Sequence, residues 1–296
     1  MKNYLLLMRP KHYLKNILVI LPLFFSRELT QSKIIIAFFS FFAFCLISST
    51  IYIINDIFDV EKDKNHPTKC RRPIASGKIS KKNAILFATL IFIFSMILHF
   101  FSIKNFYSLA TLYFVVYFSV NFTYSMGLKN LPILDVTLLA SGFLIRTLYG
   151  GAVENVELSN WLYLTIITFS FYMGFGKRKG EIRILDLKNE TRTVLKKYSY
   201  DFLDKNMNIF MTLILVFYSL WTVDERTVSR LGSNSFVWTV PLVIVICLRY
   251  SFIIENNKSS GDPVEVLSSD KILITMVIIY SIITILLFYK NLIFSI

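Results

Sequence analysis

From Ile34 to Ile54 the chain carries no charged side chain, and the run is long enough to cross a bilayer. A membrane-spanning helix needs about 20 predominantly apolar residues, because the hydrocarbon core offers no water to unpaired backbone groups. Stretches of this kind lie near residues 33–55, 83–103, 106–124, 133–152, 159–176, 207–223, 236–254 and 272–289. A ninth is expected from about Tyr13 to Ser26, with a shorter uninterrupted apolar core, Ile17–Phe25, that includes Pro22. With 55% hydrophobic residues and 28 Phe among 296 residues, the composition fits no ordinary soluble domain. The expected fold is an all-α polytopic membrane protein of about nine transmembrane helices. No repeat, low-complexity tract or Pro/Gly/Ser-rich linker divides it, so residues 1–296 are expected to form a single domain.

Charge supports the same topology. If the N-terminus is cytoplasmic, the expected inner segments hold 24 of the 32 Lys and Arg, the outer segments six and the spans two. Lys and Arg accumulate on the cytoplasmic side of membrane proteins, which sets the N-terminus in and the C-terminus out. Trp161, Trp221 and Trp238 then fall at outer ends of their spans, where an aromatic belt is expected. The formal charge of +13 is thus a topology signal and calls for no nucleic-acid partner. The first apolar stretch lacks a small-residue cleavage site, so it is expected to stay as a span. Cys45 and Cys247 in spans and Cys70 in an inner loop leave no disulfide framework, and His12, His66 and His99 are dispersed.

Residues 55–63 read Asn-Asp-Ile-Phe-Asp-Val-Glu-Lys-Asp at the mouth of the 33–55 span. On a continuing helix Asp56, Asp59 and Asp63 share one face, with Asn55 one turn before Asp59. Hard oxygen donors aimed at one point suit Mg2+, which meets protein through one or two carboxylates plus substrate phosphates. An isolated D-x-x-D would read as a solvated helix end. The full spacing followed by a basic stretch, with Arg71 and Arg72 in it, reads instead as a diphosphate site: metal ions bridge carboxylate and phosphate oxygens, and guanidinium forks bind the rest. An anionic-lipid patch would explain the arginines but not the carboxylates.

The two long loops, about 60–82 and 177–206, both fall on the inner face and hold 17 of the 24 inner cations. The second opens with Gly176-Lys177-Arg178-Lys179-Gly180-Glu181, and its stretch Thr191–Asp204 alternates basic and apolar residues as a surface helix would. Asp135 and Arg146, eleven residues apart, lie on nearly one helix stripe. A mid-span Arg costs about 2.5–3.5 kcal/mol, so Arg146 should face a partner or a wet cavity. A structural pairing with Asp135 and a substrate contact are equally open.

The motif N-D-x-x-D-x-x-x-D at the inner end of the second helix, followed by R-R-P-I-x-x-G, resembles the UbiA-type intramembrane prenyltransferase superfamily. The likeness extends over nearly the whole chain. Met8-Arg9-Pro10-Lys11-His12-Tyr13-Leu14-Lys15-Asn16, Tyr124-Ser125 with Gly127-Leu128-Lys129, Gly176-Lys177-Arg178 with Glu181, and Arg192-Thr193-Val194-Leu195 with Tyr198-Ser199 and Phe202-Leu203-Asp204 are similar to its decaprenyl-phosphate phosphoribosyltransferase branch. Prenyl-transferring members carry a second Asp-rich motif where this chain has Lys-Arg-Lys-Gly-Glu.

The resemblance implies helices bundled around a central cavity open to the cytoplasmic face and the bilayer, with the two long loops capping it. It implies Mg2+-dependent transfer of a 5-phosphoribosyl group from phosphoribosyl diphosphate to a polyprenyl phosphate, a step of cell-envelope biosynthesis in a bacterial inner membrane. Asp56, Asp59, Asp63 and Asn55 would hold the metal, and Lys177 and Arg178 would act as fixed cations at the reaction. Lys15, Asn16, Arg71, Arg72, Tyr124, Lys129, Asp135, Arg146 and Glu181 would bind substrate. A homo-oligomer is compatible with this reading. Two rivals are a prenyltransferase using a prenyl diphosphate and an aromatic or other small acceptor, and a non-enzymatic transporter of a phosphorylated lipid.

Overall fold

The computed structural model describes residues 2–65, 69–103, 105–186, 194–256 and 261–293. Among them every regular element is helical. His66 and Thr191–Thr193, singled out above, lie outside the described residues, as does Arg192. The described residues form two compact units.

The first unit comprises Met1–Phe24, Glu28–Leu131 and Ile145–Val156. Its long helices are Gln31–Phe58, Lys81–Ser102 and Leu109–Met126. Each begins where a hydroxyl can accept a first-turn N–H: Thr30, Ser80 and Ser108 cap Lys33, Asn83 and Thr111. Ala43, Phe44 and Ile47 of the first helix pack with Phe114, Tyr117, Ile145 and Tyr149 in the core. His99 belongs to that packing, stacked on Phe114 and hydrogen-bonded to Tyr149 and Thr111. The segment Pro10–Val19 is a 3-10 helix, and the Val19 carbonyl lies so near Gly150 that a Cβ there would sit 2.0 Å from its oxygen. Only glycine allows that approach.

The second unit comprises Phe25–Arg27, Pro132–Leu144 and Glu157–Ile296. Its helices are Asn160–Asp186, Tyr200–Thr222, Glu225–Leu231, Val240–Asn256, Pro263–Ser269 and Lys271–Ile293, around a core that includes Tyr172, Phe175, Leu203, Met207, Tyr250 and Ile254. The helix Leu134–Glu154 contributes residues to both units, divided after Leu144.

Six described helices are long and apolar enough to cross a membrane, or seven if the pair Tyr200–Thr222 and Glu225–Leu231, bent by 53°, counts as one span. Nine were expected. The Tyr13–Ser26 stretch is divided between the 3-10 helix and a short α-helix, Leu21–Ser26. Asn160–Asp186 is a continuous helix of 27 residues, but its last turns carry Lys177, Arg178, Lys179 and Glu181. The opening of the expected second loop is therefore helical up to Asp186. The stretch expected to lie along the surface instead shows a 3-10 turn, Leu195–Lys197, after which Ser199 caps the Tyr200–Thr222 helix.

Candidate active site

The motif at the end of Gln31–Phe58 keeps helical spacing through Asp63. Asp59 departs slightly from helical geometry at φ −90° and ψ 5°, yet Asp59 N–H still donates to Asn55 O and Asp63 N–H to Asp59 O. This divides the four polar side chains into two pairs, each centred on a cation. Arg72 Nη1 donates to Asp56 Oδ1 at 2.9 Å and to Asp63 Oδ2 at 2.6 Å. Lys129 Nζ donates to Asn55 Oδ1 at 3.0 Å and to Asp59 Oδ2 at 2.6 Å.

A further cation completes the first pair. Arg9 Nη2 donates to Asp56 Oδ1 at 2.5 Å, and its guanidinium lies over the Tyr52 ring. Its backbone is left-handed, at φ 52° and ψ 58°, immediately before Pro10. Such a conformation costs a non-glycine residue on the order of 1–2 kcal/mol, and strain of this kind collects at functional sites. Sequence reasoning quoted Arg9 without assigning it a role. Arg71 is exposed.

Among the described residues there is no group of three or more His, Cys, Asp and Glu arranged to hold a metal. The donor chemistry nevertheless suits a hard divalent cation. Oxygens of Asp56 and Asp63, and of Asn55 and Asp59, already converge in pairs on positively charged nitrogens that stand in for one.

Asn16 and Arg146 meet inside the first unit. Arg146 Nε donates to Asn16 Oδ1 at 2.7 Å and Nη2 to Tyr117 Oη at 2.8 Å, with the guanidinium over the Tyr117 ring. Asn16 also donates to Cys45 Sγ. Lys15 and Tyr124 are half-buried.

In the second unit, Asp135 takes Arg178 rather than its stripe-mate Arg146 as a cationic partner. Arg178 Nε donates to Asp135 Oδ2 at 2.5 Å, and Arg178 also pairs with Glu181 one turn on. Tyr198 Oη donates to Asp135 Oδ1 at 2.7 Å and accepts from the Ile133 N–H. Burial first, and then donation to Asp135, raise the Tyr198 pKa, so the phenol stays protonated.

Lys177 is one-quarter exposed and lies 3.4 Å from Asp262, which also caps the Pro263–Ser269 helix. The approach is tight: at Gly261, with φ +70°, a Cβ would stand 2.6 Å from the Gly176 carbonyl. Lys179 joins three helices through Asp204 at 2.5 Å and Glu255 at 2.6 Å. Burial works against its charge, but these hydrogen bonds outweigh it and hold its pKa above the usual lysine value.

Residues 17–267 match the model of the UbiA prenyltransferase family. The chain belongs to that family. Curated relatives include the decaprenyl-phosphate phosphoribosyltransferase of Mycolicibacterium smegmatis, 32% identical over 90% of this chain and 86% of the relative. Another is that of Corynebacterium glutamicum, 34% identical over 90% and 80%. Among solved structures, a UbiA homologue from Archaeoglobus fulgidus bound to GPP and Mg2+ superposes with a TM-score of 0.70, covering 96% of this chain and 99% of that one. At 17% identity that likeness shows the fold alone. With its apolar helices, family membership makes the chain an integral membrane protein.

Proposed function

We propose that this chain is a membrane transferase that moves a 5-phosphoribosyl group from phosphoribosyl diphosphate to a polyprenyl phosphate and releases diphosphate. The observation that carries this reading is the 30–34% identity, over 90% of the chain, to several decaprenyl-phosphate phosphoribosyltransferases. The active groups are assigned to the cytoplasmic side of a bacterial inner membrane, as the distribution of Lys and Arg implies.

The reaction breaks the bond between ribose C1 and the diphosphate oxygen and forms one between C1 and the lipid phosphate oxygen. Asp56, Asp63, Asp59 and Asn55 would hold Mg2+, which supplies charge neutralisation for the departing diphosphate. Arg9 and Arg72, already at those carboxylates, offer forked donors to phosphate oxygens. Lys129 holds Asp59 and Asn55 in orientation. Lys177, the more exposed of the 177–178 pair, contributes a fixed cation, while Arg178 is committed to Asp135 and Glu181. The acceptor needs no general base, because a phosphate monoester, with second pKa about 6, is largely ionised at neutral pH. Apolar contacts with the bilayer-facing helices would take the isoprenoid tail.

The test is donor choice. Purified protein with Mg2+ and labelled phosphoribosyl diphosphate should release diphosphate only when polyprenyl phosphate is present. Efficient transfer from a prenyl diphosphate to an aromatic acid would replace this reading with the general prenyltransferase one, and no turnover with either donor would favour the transporter.

A further inference from the structure

At the N-terminal end of the Asn160–Asp186 helix the second unit carries a cavity of about 320 Å3 that the proposed transfer does not use. It lies 17 residues from Lys177 on the same helix, roughly 25 Å at 1.5 Å per residue. Its wall is formed by Ser159, Asn160, Trp161 and Leu164 on one side and by Asp224 and Arg226 on the other. Asp224 lies at the bend between the Tyr200–Thr222 and Glu225–Leu231 helices.

The two charges in this wall are opposite in sign and two residues apart. Asp224 Oδ2 is buried and accepts no hydrogen bond. Arg226 is exposed and paired with Glu157 at 3.5 Å, a contact between two exposed side chains that solvent screens strongly. The start of a 27-residue helix adds the positive end of its dipole, and the Asn160 amide adds a polar group. The wall thus holds a place for an anion at Arg226 and Asn160, and beside it a half-buried carboxylate with one oxygen, Oδ2, that lacks a donor. Trp161 belongs to the residue type that sits at membrane interfaces, and it stacks on Phe217.

We propose that this cavity binds the headgroup of a zwitterionic membrane lipid bearing a primary ammonium, a phosphoethanolamine group. Its phosphate sits at Arg226 and the helix N-terminus, and its ammonium pairs with the half-buried Asp224 carboxylate. A primary ammonium offers three N–H donors and a quaternary one offers none, so Asp224 selects between them.

The purified full-length protein, stripped of lipid in detergent, is titrated with short-chain phosphatidylethanolamine, phosphatidylcholine and phosphatidylglycerol while native mass spectrometry follows bound lipid. Phosphatidylethanolamine should bind about tenfold more tightly than the other two, the worth of one charge-assisted hydrogen bond. Asp224→Asn should lower its affinity to that of phosphatidylcholine, and Arg226→Gln should weaken all three lipids. A lipid-free melting curve checks that each variant folds. If either is unfolded, Asn160→Ala replaces it and should weaken all three lipids. Equal binding of phosphatidylethanolamine and phosphatidylcholine, a preference that survives Asp224→Asn, or tightest binding of phosphatidylglycerol would overturn the proposal. The assay needs no turnover, so its outcome is independent of the transferase reading.

Discussion

Arg178 and Asp135 form an ion pair in which neither side chain has any exposed surface. The pair joins the Asn160–Asp186 helix to the first turn of Leu134–Glu154, and Tyr198 takes the remaining carboxylate oxygen. Removing one partner of a buried pair leaves an uncompensated charge and costs about 3–5 kcal/mol. Asp135→Ala and Arg178→Ala should therefore lower the thermal midpoint of the purified protein sharply. Tyr198→Phe, which deletes one hydrogen bond worth about 1 kcal/mol, should lower it only slightly. Equal melting of all three variants and wild type would show that the pair contributes nothing.

Asp56→Asn and Asp59→Asn preserve shape but remove a charge from each cation-centred pair. If these carboxylates hold the metal, diphosphate release should fall at least about a hundredfold, since metal stabilisation of a leaving group is worth several kcal/mol. Each variant should retain its fold, because the helix spacing around Asp59 is set by backbone bonds. Wild-type rates in both would remove the metal from this position.

The spacing of the acidic motif was legible because helical periodicity is local. Residues four apart lie one turn apart and residues seven apart two turns apart on one helix face, and so Asp56 pairs with Asp63 and Asn55 with Asp59 around a shared cation. Which cation was not legible, because Arg9 and Lys129 reach these carboxylates across 47 and 70 residues of chain. The left-handed backbone of Arg9 is equally invisible in the letters Arg-Pro. The stripe that joins Asp135 to Arg146 was real as periodicity but did not predict partners, since Arg146 turns to Asn16 and Tyr117 and Asp135 to Arg178. The number of spans is not fixed by hydropathy for a similar reason. Hydropathy averages over a window, and Asn160–Asp186 carries its charges on the last turns of an unbroken helix.

The proposed orientation, N-terminus inside, rests on the bias of Lys and Arg toward the expected inner segments. Ser76 is exposed in the turn that follows Arg72. A single reporter cysteine at Ser76→Cys, in a background lacking Cys70, should react with a membrane-impermeant maleimide in inverted vesicles and not in intact cells. Labelling in intact cells would reverse the topology.

Lys177 separates the phosphoribosyl reading from the general prenyl one. It is held by Asp262, whose own position depends on the close approach of Gly261 to Gly176. A charge-assisted hydrogen bond to phosphate is worth about 1.5–3 kcal/mol, so Lys177→Ala should cut kcat/KM for phosphoribosyl diphosphate roughly ten- to hundredfold. Raising Mg2+ should not restore it, because the missing charge was never a metal. Asp262→Asn leaves the ammonium in place but loosens its anchor, so its loss should be smaller and Asp262→Glu should recover part of it. Arg178→Ala is the poorer probe, since its buried pairing with Asp135 couples activity to folding. Unchanged kinetics in folded Lys177→Ala, or full rescue by Mg2+, would mean that this lysine takes no part in binding the donor, and would shift weight to the prenyltransferase alternative.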